Sequence, residues 1–117
     1  MKKRLGFTLV ELMVVLAVIA LLLSVVVPDY MGKMRRAEEA VLQQDLALMR
    51  ESLDKHYADT GRYPTSLEEL VAKHYLRSIP ADPFTRSAST WVSVPPQDTR
   101  KGNIWDVKSG AKGYERF

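Results

Sequence analysis

The sequence predicts an α+β fold in which a long N-terminal α-helix packs on a small antiparallel β-sheet. Three observations lead to this prediction: an almost unbroken apolar run at the start, a helical repeat of apolar residues after it, and alternating β-branched residues in the last third. A chain of 117 residues has room for one small globular domain. We divide it into a basic leader (residues 1–6), a transmembrane helix (residues 7–29) and a soluble domain (residues 30–117).

Residues 7–27 are long and apolar enough to cross a bilayer. Built as an α-helix, this run would span about 31 Å, close to the roughly 30 Å hydrocarbon thickness of a membrane. It could be a removed signal peptide, a permanent anchor, or a helix that occupies the membrane only temporarily. Its length and the lack of a small-residue cleavage site after it disfavour the signal peptide. Lys2, Lys3 and Arg4 should stay in the cytoplasm, which directs the following domain to the opposite side.

Glu11 is the acidic residue inside this apolar run. An acid in a spanning helix costs roughly 2.5–3.5 kcal/mol on insertion scales. Either Glu11 reaches the lipid headgroups from its place near the helix start, or it pairs with a cation inside an apolar assembly. If the chain were cut between Gly6 and Phe7, the new Phe7 amine could pair with Glu11 of a neighbouring helix.

The helix is predicted to continue beyond Pro28, which we expect to bend it or melt it locally. After Pro28, apolar residues recur every three to five positions and are separated by charged and polar residues, as on an amphipathic helix. Gly61 suits the left-handed conformation that ends a helix. The apolar stripe is Tyr30, Met34, Ala37, Val41 or Leu42, Leu46, Met49, Leu53 and Tyr57.

A capping box indicates a short second helix. Ser66 with Glu69 and, one register earlier, Thr65 with Glu68 both have the required spacing. We therefore expect a helix over residues 67–74.

The last third is predicted to form strands. Residues 89–94 and 104–107 are rich in β-branched and aromatic side chains, and a polar loop with turn signals separates them. Because two strands alone are marginally stable, we expect a third short strand at residues 114–117 and packing on the long helix. Trp91 and Trp105 are interpreted as core or strand-pair residues rather than ligand contacts.

Charge and composition exclude several classes of function. The chain has 17 Lys and Arg against 14 Asp and Glu, and the leader accounts for the excess, so we do not expect nucleic acid as a partner. There is no Cys to form a disulfide or ligate a metal. No Ser-His-acid grouping, P-loop or H-E-x-x-H motif is present. His56 and His74 are interpreted as surface or satisfied core residues, and the protein is predicted not to be an enzyme.

The stretch KKRLGFTLVELMVV resembles the N-terminal signal of type IV pilins and type II secretion pseudopilins. Gly6 to Glu11 match that signal without a gap, and Pro28 also matches the family pattern. The resemblance implies that prepilin peptidase, a membrane enzyme, cuts after Gly6 and methylates the amine of Phe7. It further implies that Glu11 contacts the Phe7 amine of an adjacent subunit during assembly.

Two later motifs resemble the major pseudopilins in particular: GRYP at residues 61–64 and LRSIPADPF at residues 76–84. We interpret Asp82-Pro83-Phe84 as a turn whose aromatic ring covers the core, with no chemistry of its own.

The resemblance implies a pilin-like fold and a structural subunit of a type II secretion system. Such a subunit waits in the bacterial inner membrane as a single-pass protein with its C-terminal domain in the periplasm. It then polymerises with itself and other pseudopilins on an inner-membrane assembly platform, and the growing pseudopilus drives protein export across the outer membrane. The alternative is a type IV pilin, major or minor, that serves in adhesion, motility or DNA uptake.

The resemblance also implies a calcium-binding loop near the end of the chain, but this sequence departs from the family pattern. Ser109 fits, whereas Lys112 stands where the family has an aspartate. Calcium prefers six to eight oxygen ligands including carboxylates, and a lysine ammonium offers no acceptor. We therefore expect no bound cofactor, and a loop around Asp106, Ser109 and Lys112 held by its own hydrogen bonds or by a Lys112–Asp106 pair.

Overall fold

The structure is a computed structural model that describes residues 6–117, and the chain forms two compact units that divide between Arg36 and Ala37. The elements follow in the order α1 (Leu9–Thr60), α2 (Leu67–Ala72), β1 (Val92–Val94), a 3₁₀ turn (Thr99–Lys101) and β2 (Asp106–Lys108). This confirms the predicted α+β class with a long N-terminal helix and a small antiparallel sheet.

The first unit contains the apolar part of α1. Its large side chains from Phe7 to Val27 are exposed along the whole length, and within residues 6–117 α1 is the one helix apolar enough to cross a membrane. The chain remains α-helical through Pro28, so the local melting that we considered does not occur. A bend at Pro28 stays a prediction.

The second unit is built on the amphipathic part of α1, and it confirms most of the predicted stripe. Of the two alternatives, Leu42 is buried and Val41 is 47% exposed. The stripe residues before Leu42, which are Tyr30, Met34 and Ala37, are exposed, so the core begins about three turns later than the pattern suggested. The buried hydrophobic residues of the core are Leu42, Leu46, Met49, Leu53, Leu67, Leu70, Leu76, Trp91, Ile104 and Val107.

The end of α1 also follows the prediction. Gly61 has a φ of 74°, and its amide donates a 2.7 Å hydrogen bond to the Tyr57 carbonyl oxygen. His56 lies one turn earlier and is a core histidine: its Nδ1 is 2.7 Å from the Arg62 carbonyl oxygen. Within residues 6–117 its buried Nε2 has no hydrogen-bond partner, so the expectation of a satisfied histidine holds for one ring nitrogen only.

Helix α2 starts at the predicted capping box and ends early. The Ser66 hydroxyl accepts a 3.3 Å hydrogen bond from the Glu69 amide, while the Glu69 carboxylate accepts a 2.6 Å bond from the amide of Thr65. The helix ends at Ala72 rather than at His74. The reason is local, because His74 has a left-handed φ of 66°, which no α-helix continues.

The sheet has two strands within the described part of the chain. Val92 pairs with Lys108, Ser93 with Val107 and Val94 with Asp106. Both strands are shorter than the predicted segments 89–94 and 104–107, and β2 is shifted towards the C-terminus.

The predicted third strand at residues 114–117 is wrong. The Phe117 amide bonds to the Tyr114 carbonyl oxygen, which makes a tight turn in place of a ladder. The Tyr114 ring stacks on Phe84 at 4.1 Å and meets Phe117 edge-on at 5.1 Å. Packing of these rings over the core therefore replaces strand pairing as the way in which this segment is held.

The two tryptophans lie in different environments. Trp91 is buried, and its indole Nε1 donates a 2.8 Å hydrogen bond to the Pro80 carbonyl oxygen. Trp105 is 50% exposed and joins the sheet through its amide, which donates to the Val94 carbonyl oxygen at 2.8 Å.

Candidate functional site

The first predicted site is the start of α1, where Thr8 and Glu11 cap the helix reciprocally. The Thr8 hydroxyl accepts a 3.1 Å hydrogen bond from the Glu11 amide, and the Glu11 carboxylate accepts a 3.3 Å bond from the Thr8 amide. This is a capping box, whose spacing is visible in the sequence as T-L-V-E and which the sequence analysis overlooked. The carboxylate is thereby held at the positive end of the helix macrodipole.

The surroundings of Glu11 are apolar. Phe7, Val10, Val14 and Val15 line a concave surface with it, and Phe7 is 84% exposed. Glu11 Oε1 has no hydrogen-bond partner within residues 6–117, and no described cation lies within ion-pair distance of this carboxylate. One oxygen is thus used for capping, while the other accepts no hydrogen bond from the described residues and could accept one from a charged donor of another subunit.

The predicted processing point lies directly before this cap. Gly6 is exposed, and a side chain at its Cβ position would meet no atom within 4 Å. The packing of the chain itself therefore does not require glycine at residue 6.

The second predicted site is the loop that follows β2, where the Asp106 carboxylate pairs with Arg50. Asp106 Oδ1 is 2.7 Å from Arg50 Nε and also accepts a 2.8 Å hydrogen bond from the Val107 amide. The Lys112–Asp106 pair that we considered is not formed in the described part of the chain, since Arg50 takes that position. Nowhere in residues 6–117 do three or more His, Asp or Glu side chains converge as metal ligands.

Two further polar side chains of the loop, Ser109 and Glu115, bond within the protein. Ser109 is buried, donates a 2.5 Å hydrogen bond to Asp82 Oδ2 and accepts one of 3.1 Å from the Ala111 amide. Glu115 accepts from the Gly113 amide at 3.1 Å, and hydrogen bonds from backbone amides, reinforced by the nearby Lys112 charge, lower the pKa of the Glu115 carboxyl. The side chains of Asp106, Ser109 and Glu115 are therefore all engaged in contacts within the protein.

Asp82 is a residue whose role the sequence analysis missed. The turn at residues 82–84 occurs as predicted, since Asp82 Oδ1 accepts a 2.8 Å hydrogen bond from the Phe84 amide. However, Asp82 is completely buried, and its second oxygen reaches Ser109 in the C-terminal loop. An aspartate before proline signals a turn, but nothing in the sequence pattern signals a partner so distant along the chain.

Sequence similarity agrees with the site at the start of α1. A family model described as the prokaryotic N-terminal methylation motif matches residues 1–27. The chain is 32% identical over 108 residues to type II secretion system core protein G of Klebsiella michiganensis, covering 92% of this chain and 76% of that protein. It is also 32% identical over 130 residues to the core protein G of Vibrio cholerae, covering 98% of this chain and 86% of the relative.

A third relative, the core protein G of Escherichia coli K12, is 35% identical over 98 residues, with 70% of this chain and 68% of the relative covered. No solved structure matches the chain. The similarity extends far beyond the methylation motif, into the globular unit. The chain therefore belongs to the type II secretion system core protein G family, the family of the major pseudopilins.

Proposed function

We propose that this chain is a structural subunit of a type II secretion pseudopilus, and that the Glu11 carboxylate guides its assembly. The observation that carries the proposal is the Glu11 carboxylate, held by Thr8 at the start of the exposed apolar part of α1, with one oxygen that accepts no hydrogen bond from residues 6–117. An exposed apolar surface of this length is stable only when lipid or other apolar helices cover it. A subunit whose apolar helix is covered by lipid before assembly and by neighbouring subunits in the filament meets this requirement in both states.

Processing would supply the partner for Glu11. Prepilin peptidase would cut between Gly6 and Phe7 and methylate the new amine, which remains a cation. In a staggered helical filament this amine would approach Glu11 of an adjacent subunit. Because both groups would lie among apolar side chains, their pairing would be stronger than in water, and it would fix the stagger between helices.

The same reasoning gives the location and the partners. The leader would keep the N-terminus in the cytoplasm, so α1 would cross the inner membrane once and the globular unit would lie in the periplasm. Other copies of the chain, other pseudopilins and the inner-membrane assembly platform would be its partners. We assign it no enzymatic role. The alternative of a type IV pilin is not favoured, since the relatives described above are core G proteins of type II secretion systems.

Two substitutions separate assembly from capping. Glu11→Val removes both the cap and the counter-charge, whereas Thr8→Val removes the hydroxyl acceptor and keeps the carboxylate. We expect Glu11→Val to insert into the membrane at least as well as the wild type, because it replaces an acid by an apolar residue. It should nevertheless lose filaments and secretion by tenfold or more, while Thr8→Val should retain most of both.

The readouts are membrane fractionation, the yield of cross-linked filaments and the export of a secreted substrate in a complemented deletion strain. Glu51→Gln is the matched control, because Glu51 is an exposed acid of the same helix that pairs only with Lys55, at 3.2 Å. Normal filament yield in Glu11→Val cells would refute the assembly role. Equal loss in Glu11→Val and Thr8→Val cells would show that Glu11 acts only as a cap.

A further inference from the structure

The side chain of Arg50, on the amphipathic part of α1, forms hydrogen bonds to three oxygen atoms in residues 106–117. Its Nε is 2.7 Å from Asp106 Oδ1, and its Nη2 donates to the main-chain oxygens of Val107 at 3.1 Å and Phe117 at 2.9 Å. Asp106 and Val107 lie in β2, whereas Phe117 closes the following loop. One cation therefore holds both ends of the segment between residues 107 and 117.

A side-chain carboxylate oxygen and main-chain oxygens are the kinds of ligand that a bound Ca²⁺ also takes from a loop. In this chain the positive charge near these oxygens is that of the Arg50 guanidinium, which belongs to helix α1. The guanidinium forms directed hydrogen bonds to all three oxygens. A divalent ion at the same oxygens would be repelled by Arg50, and Lys112 would add a second positive charge on the loop.

A second anchor closes the loop from inside. Buried Ser109 joins Asp82 and the Ala111 amide, so the loop has a fixed point between its two ends. The neighbouring Gly110 packs so closely that a Cβ atom there would overlap the Thr90 carbonyl oxygen. The loop is thus tied at its two ends by Arg50 and near its start by Asp82 through Ser109.

We propose that Arg50 replaces the metal ion that the pseudopilin resemblance implies, so that the C-terminal loop of this chain folds independently of calcium. The guanidinium supplies the charge, and Asp82 with Ser109 supplies the remaining fixed point. It follows that the stability of the subunit does not change with calcium concentration. This inference does not depend on how the filament assembles, and it can be tested on the isolated subunit.

The first experiment is thermal unfolding of the full-length chain in detergent micelles, in 5 mM calcium and again in EGTA, followed by near-UV circular dichroism. We expect melting temperatures that agree within about 1 °C. A saturated calcium site would raise the melting temperature by roughly 10 °C in a unit of this size, and such a rise would overturn the proposal.

The second experiment compares Arg50→Gln with Lys55→Gln, both measured in EGTA. Lys55 is the matched control because it lies on the same helix and forms an exposed pair with Glu51. We expect Arg50→Gln to lower the melting temperature by roughly 5–10 °C, and Lys55→Gln by no more than about 2 °C. Equal effects of the two substitutions would contradict the role of Arg50.

Hydrogen exchange read by mass spectrometry separates loop closure from general stability. In Arg50→Gln the amides of residues 107–117 should exchange at least tenfold faster than in the wild type, while those of α2 should change little. Unchanged protection of the loop would overturn the proposal. If Arg50→Gln does not fold, the calcium comparison on the wild type still decides the question.

Discussion

Ser109 and Asp82 lie 27 residues apart and meet in the interior of the globular unit through a 2.5 Å hydrogen bond from Ser109 Oγ to Asp82 Oδ2. Both side chains are buried, and Asp82 Oδ1 also accepts from the Phe84 amide at 2.8 Å. The Asp82 charge acts on Asp45 as well: burial chiefly, and then this neighbouring charge, raise the pKa of the Asp45 carboxyl. Asp82 therefore connects the turn before β1 with the loop after β2.

We predict that Asp82→Asn lowers the free energy of unfolding by roughly 2–3 kcal/mol. The asparagine amide keeps the shape but presents a donor group where two acceptor oxygens are needed, which leaves a buried polar group unsatisfied. Urea denaturation of the full chain in micelles, followed by tryptophan fluorescence, measures the effect. Asp54→Asn is the control, because Asp54 is exposed on α1 and should change the free energy by less than about 0.5 kcal/mol.

A double-mutant cycle with Ser109→Ala assigns that loss to the contact. If the two residues act through their mutual hydrogen bond, the double variant should be less destabilised than the sum of the single ones by at least about 1 kcal/mol. Strict additivity would mean that Asp82 stabilises the turn at Phe84 and not the C-terminal loop.

The second prediction concerns the cap of α2. Glu69 accepts a 2.6 Å hydrogen bond from the Thr65 amide and pairs with Lys73 at 2.9 Å, and these contacts lower the pKa of its carboxyl from 4.5 to about 2. A lowered pKa in the folded state stabilises the protein above the unfolded pKa, so the gain is complete above about pH 4.5. It is lost as the pH falls towards about 2.

We expect Glu69→Gln to cost roughly 1–2 kcal/mol at pH 7, after allowing for the partial solvent exposure of this carboxylate. The difference from the wild type should shrink below pH 4.5 and vanish near pH 2. Chemical denaturation at pH 7, 4.5 and 3 follows this trend. A difference that stays constant over this range would show that the amide replaces the carboxylate as a cap and that its charge is unimportant.

The helices were predictable from the sequence because their signals are local. The spacing of Leu42, Leu46, Met49 and Leu53 defines a buried face by itself, and Gly61 marks the helix end through its own conformational freedom. The capping box of Thr8 and Glu11 at the start of α1 is an equally local signal. It was not predicted, because Glu11 was considered only for the free-energy cost of placing an acid in the membrane.

The long-range contacts were not predictable in the same way. Arg50 sits among many charged residues on the helix, and its neighbours in sequence contain no sign that it meets Asp106 and Phe117. Likewise, residues 114–117 include two aromatic residues, as a strand often does, yet they form a turn in which the Tyr114 ring stacks on the ring of Phe84. Such partners are selected by tertiary packing, which overrides local preference in short segments.

The third prediction concerns processing at the N-terminus. Intact-mass measurement of the protein purified from a host with a prepilin peptidase should give a chain that begins at Phe7 and carries one extra methyl group, about 14 Da. Retention of Met1, or a start after residue 24, would contradict our interpretation of the leader.

Gly6→Val tests whether the peptidase itself requires the glycine. A Cβ atom at residue 6 would meet no atom of the described residues beyond its chain neighbours within 4 Å, so we expect this substitution to leave the cap formed by Thr8 and Glu11 in place. Any loss of cleavage would therefore arise in the peptidase site, where a residue without a side chain is expected to fit.

Gly32→Ala is the control, since Gly32 is equally open and lies within α1. We expect Gly6→Val to accumulate as the uncut, unmethylated chain in the membrane, while Gly32→Ala is processed like the wild type. Normal cleavage of Gly6→Val would contradict this prediction. It would mean that the peptidase recognises residues after the cleavage point instead of Gly6, and Glu11 would be the first of these to test.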